Sequence, residues 1–479
     1  MKEDISSTGK KIVKNLFLLI TGNVAAQLLG FLSVIYLARI LKADGFGKVV
    51  FAQGIVAYFF LFSDLGLKTF GTIEIARVKG EQKRYVNNIV TMRIALSIAA
   101  FLMLLLITLL MDKPQDQKYL IILFGISIFP STILLDWFFQ GIQKMGIIGL
   151  TNMLKSLFYI TFLLLFLSSG DILYIPIYFT VSFILAMVPM FLTFFREHGW
   201  IVPSFEYTLW KESIIKAIPL GLSSIMIQIY YNIDTVMLGF MKGEEAVGLY
   251  NAAYKIVLLL LGFASIIGMV LLPNVSKIYT ESKENIEKYL RYLSKITIFW
   301  SIPVTVGGMI LSGQIIRVFY GEYYNNSVIP LQILIWSVFT VFSNIPFALL
   351  LLASGKGKEY MYSVTAGAVS NLSLNLFLIP RYDLIGASIS TLISEFIVLT
   401  FLLLYSRRLI IIPMFRNILL GLTASSIMGI LLLNLNDKFN LLISILLGIL
   451  IYILTLIIIK GVNKEDLVFI REALKIKGS

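Results

Sequence analysis

The chain contains no cysteine, which excludes disulfides, thiol nucleophiles, iron–sulfur clusters and thiolate zinc sites. Its single histidine, His198, cannot build a histidine-rich metal centre, so no metal and no cofactor is expected. Charge is sparse as well. Only 14% of the 479 residues are charged, against roughly 25% in soluble domains. No stretch is both long and polar enough for a separate soluble domain. No small-residue cleavage site follows the apolar run behind MKEDISSTGKKIVKN, which reads as an uncleaved first span. A Walker phosphate-binding motif is missing, so the chain has no ATPase engine of its own; the turn Gly355-Lys356-Gly357 reads as a loop.

What remains is apolar. Hydrophobic residues make up 58% of the chain and the mean hydropathy is +0.89. Runs of about 20 apolar residues, each long enough to cross a bilayer, recur from 14–38 to 440–459 and give about 14 spans. The pattern is softest at 66–90, where Gly66, Gly71 and Gly80 interrupt it. The fold class expected is therefore an all-α polytopic membrane protein.

The net charge of +13 reads as a topology signal rather than as nucleic-acid binding. Basic residues gather in one set of alternating loops: Lys10 and Lys11, Lys79 to Arg84, Lys277 to Lys295, Arg407 with Arg408, and the tail after Lys460. That places both termini in the cytoplasm of a cell-membrane protein. The outer loops (LKADGFGK, MDKPQDQK, MKGEEA, GEYYNN, PRYD, NLNDK) are brief. They disfavour a membrane glycosyltransferase or polymerase, whose catalytic groups need a larger outer loop, and no enzyme activity is expected.

An internal repeat is visible. Gln27 aligns with Gln228, Asp44 with Glu245, Gly47 with Gly248 and Ala52 with Ala253, at one offset of roughly 201 residues, as in transporters built from repeated halves. The turns Asp44-Gly45-Phe46-Gly47 and Glu245-Ala246-Val247-Gly248 occupy equivalent hairpins. A third version runs from Pro380 to Ser388, where Gly386 again opens the next helix. Small residues there let helix backbones approach closely.

Several stretches carry a family resemblance. YLARILKADGFGKVVFAQ (Tyr36–Gln53), FSDLGL (Phe62–Leu67), NIDTVMLG (Asn232–Gly239), VGLYNAAYK (Val247–Lys255), FYGEYY (Phe319–Tyr324), LLASGKGKEY (Leu351–Tyr360) and NLFLIPRYDLIGASISTLISE (Asn375–Glu395) resemble the signatures of bacterial polysaccharide flippases. These belong to the multidrug/oligosaccharidyl-lipid/polysaccharide exporter superfamily. The resemblance covers about residues 15 to 405 and is absent from the last two spans. It implies two pseudo-symmetric six-helix lobes around a central cavity, at 1–200 and 201–410. Two additional helices and a cytoplasmic tail would follow at 411–479. The implied substrate is an oligosaccharide on a polyprenyl (pyro)phosphate carrier, moved to the outer leaflet by mass action or by an H⁺ or Na⁺ gradient. Membrane lipids and the polysaccharide polymerase machinery are the other implied partners.

Such a substrate needs cations for phosphate and polar or aromatic groups for sugar. Asp234 and Lys255 lie roughly 9 and 12 Å below the outer ends of their helices, at similar depth. They can form a structural bridge, or serve substrate or proton, or do both in turn. Asn23 and Gln27 share a helix face, as do Ser224 and Gln228 with Tyr231 and Thr235 further along. Each half thus offers a polar stripe for the implied cavity, with interhelical hydrogen bonding as the plainer reading. Asn232 and Asn251 fall in the signature stretches and join the candidate set. Arg39, near the outer end of span 1, either contacts phosphate or anchors the helix. Asp64 and Glu395 read as packing residues. Lys155 and Arg93 are expected to snorkel toward the inner interface, and Tyr320, Tyr323 and Tyr324 to mark the headgroup level. His198 reads as a solvated loop residue. Two alternatives stay in the same superfamily. A cation-coupled multidrug antiporter predicts an acid-rich cavity, and a peptidoglycan-precursor flippase predicts more cations in spans 1, 2 and 8 than Arg39 and Lys255.

Overall fold

The computed structural model describes residues 2–78, 80–168, 171–435 and 439–461, without the side chains of 2–16, 223, 224 and 435. The side chains of Lys10, Lys11, Lys79 and Ser224, part of the NLNDK turn and the basic tail beyond 461 therefore lie outside the described residues. Everything regular that is described is helical, as a chain in lipid requires when it must satisfy its own backbone groups.

Eleven helices among the described residues are long and apolar enough to cross a membrane. They become twelve when Tyr207–Leu222 and Ile225–Met241, bent by 44°, count as one span. Two of the others hold two crossings each. Phe17–Phe62 has 46 residues and Gly357–Ser406 has 50, about 70 and 75 Å of helix against a hydrocarbon core of roughly 30 Å. Each is broken once, at Lys42 (φ 56°) and at Asp383 (φ 53°). Gly386 abuts Leu378 and Ile379, which an unbroken helix would hold about 12 Å away, so the chain reverses there. Splitting both helices at their breaks gives the 14 crossings that the apolar runs predict.

The chain packs as two units, Met1–Asn251 and Ala252–Ser479. The first contains α1 (Lys2–Phe62), α2 (Leu67–Arg77), α3 (Gln82–Leu110), α4 (Gln115–Gly125), α5 (Ile128–Ile133), α6 (Asp136–Gly141), α7 (Met145–Phe166), α8 (Ile175–His198), α9 (Tyr207–Met241) and the start of α10 (Glu244–Glu281). Its core gathers Phe70, Trp137, Phe138, Phe194 and their aliphatic neighbours. Pro219 sits inside α9 near the bend, where it removes one ladder hydrogen bond and kinks the helix. His198 ends α8 and packs on the rings of Phe138 and Phe194, at 5.1 and 5.2 Å, rather than lying free in a loop.

The second unit takes the rest of α10, then α11 (Lys283–Ile310), α12 (Ser312–Tyr320), α13 (Val328–Leu334), α14 (Trp336–Ala353), α15 (Gly357–Ser406), α16 (Phe415–Leu435) and α17 (Leu441–Ile458). Ala424, Met428, Leu432, Tyr452 and Leu456 bury the last two helices, and the Tyr452 hydroxyl donates to the Phe299 carbonyl of α11 at 2.8 Å. Of the tyrosine trio only Tyr323 is exposed; Tyr320 and Tyr324 are buried against each other, 5.4 Å apart. Buried in this way, those two rings are not presented to headgroups.

Candidate functional site

The two repeated turns meet face to face inside the first unit. A Cβ added to Gly47 would collide with the carbonyl of Glu244, and one added to Gly248 with the carbonyl of Ala43. Beside them Gly239 lies flush on the Phe51 ring, and Gly54 touches Thr235 and Val236. The second half of α1 therefore packs backbone to backbone on the start of α10 and closely against the end of α9, with glycine at each crossing point.

Charged side chains fasten this hairpin end. Lys113, in the turn between α3 and α4, places its ammonium 2.8 Å from Glu244 Oε1 and 2.6 Å from the Gly239 carbonyl oxygen. The rings of Phe51 and Phe240 cover it at 4.9 and 5.9 Å. Lys48 pairs with Asp116 at 2.8 Å and with Asp44 at 3.5 Å. Both side chains of the Lys113–Glu244 pair are nearly buried, at 11% and 15% exposure. The sequence reading missed these residues: a lysine in MDKPQDQK gives no sign that its acid lies 131 positions away.

Directly below the hairpin, Asp234 is fully buried and its Oδ2 accepts a hydrogen bond from the Tyr250 hydroxyl at 2.8 Å. One turn position on, the Asn251 amide donates to Thr235 Oγ1 at 3.1 Å and to the Val247 carbonyl at 3.0 Å. The bonds to Asp234 and Thr235 span from α10 to α9. A hydrogen bond to a charged group contributes about 1.5–3 kcal/mol, so Asp234 and Asn251 help to hold the hairpin whatever else they do. Lys255 belongs to the second unit and is half-buried.

The polar stripe of span 1 also finds a partner. Gly22 and Gly149 bring α1 and α7 together, and one step along, the Asn152 amide donates to Asn23 Oδ1 at 3.0 Å. Gln27, a turn further, is half-buried. On α9, Gln228 and Asn232 are half-buried and Tyr231 is exposed, with the Asn232 amide 3.4 Å from the Gln228 carbonyl. Arg39 is exposed near the Lys42 break. The first unit thus holds every candidate except Lys255, on α1, α9 and the start of α10.

Arg93 does not snorkel. It is buried, ion-pairs with Asp64 at 3.1 Å, and donates to the carbonyls of Ser131 and Leu134 at 3.0 and 3.3 Å. The break between α5 and α6 leaves those carbonyls without helical partners, and a buried cation is the remedy. Asp64 in turn accepts from the backbone N–H groups of Gly66 and Lys68 at 3.2 and 3.3 Å, which fixes the start of α2. Lys155 departs from expectation too. Its ammonium lies between Phe179 and Phe183, toward the Phe166 end of α7, where ring faces replace an interface.

Residues 12–279, more than half of the chain, match the family of polysaccharide biosynthesis proteins. The chain belongs to that family. Residues 219–377 also match the MatE family. Among curated relatives of this polysaccharide biosynthesis protein, a putative O-antigen transporter of Escherichia coli K12 is 26% identical over 79% of the chain and 93% of its own length. The capsular polysaccharide biosynthesis protein CapF of Staphylococcus aureus is 22% identical over 81% and 97%. The solved inward closed structure of the lipid II flippase MurJ superposes with a TM-score of 0.76, at 18% identity, covering 92% of this chain and 98% of that one. At that identity the likeness speaks for the fold alone. The protein is a multi-pass membrane protein.

Proposed function

We propose that the protein is a flippase that moves polyprenyl-(pyro)phosphate-linked oligosaccharide units from the inner to the outer leaflet of the cytoplasmic membrane, for polysaccharide biosynthesis. It is a transporter, not an enzyme. The observation that carries the reading is the kinship with O-antigen transporters over most of the chain. The two repeated hairpins packed glycine to backbone add a mechanism, since a joint between repeats that closes one end is what alternating access requires. In this reading both termini are cytoplasmic and the hairpin end faces outward. The lobes 1–200 and 201–410, with 411–479 appended, rock about the repeat axis. Asn23, Gln27, Gln228, Tyr231, Asn232 and Asn251 contact sugar, and Arg39 and Lys255 contact phosphate. Asp234 pairs with Lys255 in part of the cycle. An H⁺ or Na⁺ gradient, or mass action, drives transport, and the polymerase machinery receives the unit.

Lipid analysis of a strain lacking the protein tests this. Accumulated polyprenyl-diphosphate oligosaccharide together with lost surface polymer is the expected result, and the stored lipid would name the sugars. The MatE match over 219–377 supports a second reading, a cation-coupled drug antiporter. Unchanged lipids with raised sensitivity to cationic dyes would favour it.

A further inference from the structure

Five charged side chains meet at mid-depth in the first unit, and they do not balance. Asp64 pairs with Arg93 and Asp136 with Lys68, each at 3.1 Å. Lys155 is left over. Its ammonium lies 4.8 and 4.2 Å from the ring centroids of Phe179 and Phe183, and among the described residues no carboxylate pairs with it. Lys68 reaches the same neighbourhood through Asp136, whose helix α6 packs against α7. Ring faces return about 0.5–2 kcal/mol to a cation, and Lys155 is half-buried. A cation without a carboxylate partner inside a membrane points to function.

Depth shows what surrounds the cluster. Lys155 lies about 15 Å along α7 from Met145, and Arg93 about 16 Å along α3 from Gln82, near the middle of a crossing of roughly 30 Å. The side chains of Lys68 and Asp136 are 31% and 29% exposed. Charged groups exposed at that depth face a water-filled space, not acyl chains. Neutral hydrogen-bonding groups stand alongside. Asn23 meets Asn152 across parallel helices, so one turn further the same register brings Gln27 to the level of Lys155.

We propose that Lys155 and Lys68 form a binding site for a phosphate-class anion within the first unit. The anion takes from Phe179 and Phe183 the ammonium of Lys155 and competes with Asp136 for that of Lys68. Each ammonium has three donors, and a diphosphate is long enough to bridge two such groups. The site rests on the flippase reading for one source of the anion, a polyprenyl diphosphate. The headgroup of an anionic phospholipid offers the same chemistry.

Binding to the full-length protein in lipid nanodiscs tests the site, with polyprenyl diphosphate, phosphatidylglycerol and inorganic diphosphate as probes. Lys155→Gln and Lys68→Gln should each weaken polyprenyl-diphosphate binding on the order of tenfold to a hundredfold, while Lys155→Arg keeps it. Phosphatidylglycerol binding that is lost in Lys155→Gln would support the site and name the headgroup as its source. Equal affinity of wild type and both glutamine variants for every anion overturns the site and leaves the flippase reading standing. A wild type that binds none of the three overturns both. Thermal melting identifies a variant that fails to fold, and the remaining glutamine variant then carries the comparison with Lys155→Arg.

Discussion

Gly47 and Gly248 occupy the same position in two copies of one turn, and each touches the other copy: Gly47 the carbonyl of Glu244, Gly248 the carbonyl of Ala43. Ala43 and Glu244 are themselves equivalent positions. The contact therefore maps onto itself when the copies are exchanged, as an isologous contact about a two-fold axis must. A joint of this kind is either closed, with backbones in contact, or open; a Cβ leaves no intermediate fit.

Valine at either glycine should prevent closure. Overpacking by a few heavy atoms costs about 1–3 kcal/mol where neighbours can yield, and here the obstacle is backbone. The absence of cysteine makes the test simple, because one introduced thiol is the only one to label. Ala43→Cys, at a buried position, should react slowly with a membrane-impermeant maleimide. Adding Gly248→Val should speed the reaction tenfold or more. An unchanged rate would mean that the joint is not the gate.

The Lys113–Glu244 pair should act on the same equilibrium from outside the joint. Removing one partner of a nearly buried, hydrogen-bonded pair costs about 2 kcal/mol or more, enough to change the closed population roughly thirtyfold. Lys113→Gln should therefore raise Ala43→Cys labelling, and the exchanged pair Lys113→Glu with Glu244→Lys should restore part of the wild-type rate. Failure of the exchange with a normal single-variant rate would reduce the pair to a surface contact.

The number of crossings, their repeat and the glycine hairpins were legible in the sequence because hydropathy and turn composition are local properties. Even the two crossings merged into one helix at Lys42 and at Asp383 announced themselves as polar turns between apolar runs. Long-range partners were not legible. Nothing near Arg93 says that a helix break at 134 will leave carbonyls for it to satisfy. The sequence places Lys155 in an apolar helix, but Phe179 and Phe183, which decide the direction of its ammonium, come from another helix. Asp234 stood out as an acid in an apolar helix, while its hydrogen bond from Tyr250 depended on how tightly the α9–α10 turn closes.

That hydrogen bond separates two roles for Asp234. Tyr250→Phe leaves the acid buried without this donor and should lower the melting temperature, by an amount equivalent to about 1.5–3 kcal/mol. Lys255→Ala should abolish most transport, read as surface polymer, with the protein still in the membrane. If Asp234→Ala combined with Lys255→Ala transports better than either single variant, the two charges balance each other. Full activity of Lys255→Ala would remove it from the pathway.

The connection between α8 and α9 is strapped to α3, and its main clasp is a carboxylate. Arg84 donates to both oxygens of Glu206, at 2.6 to 3.0 Å. Asn88 donates to Oε1 at 2.9 Å and accepts from the Glu206 backbone N–H at 3.0 Å. Asn87 and Thr91 take the backbone N–H groups of Val202 and Ser204. The hydrogen bonds from Arg84, followed by that from Asn88, hold the Glu206 carboxyl below its ordinary range. An acid with a depressed folded value contributes stability that is present above its unfolded value and lost as pH falls through the folded one. The melting temperature of the wild type should therefore exceed that of Glu206→Gln at pH 7, and the gap should narrow on acidification below about pH 4.3. Other carboxylates titrate in both proteins and cancel in the difference. A gap that stays constant down to the acid limit would place the stabilisation in the asparagine and threonine contacts instead of the charge.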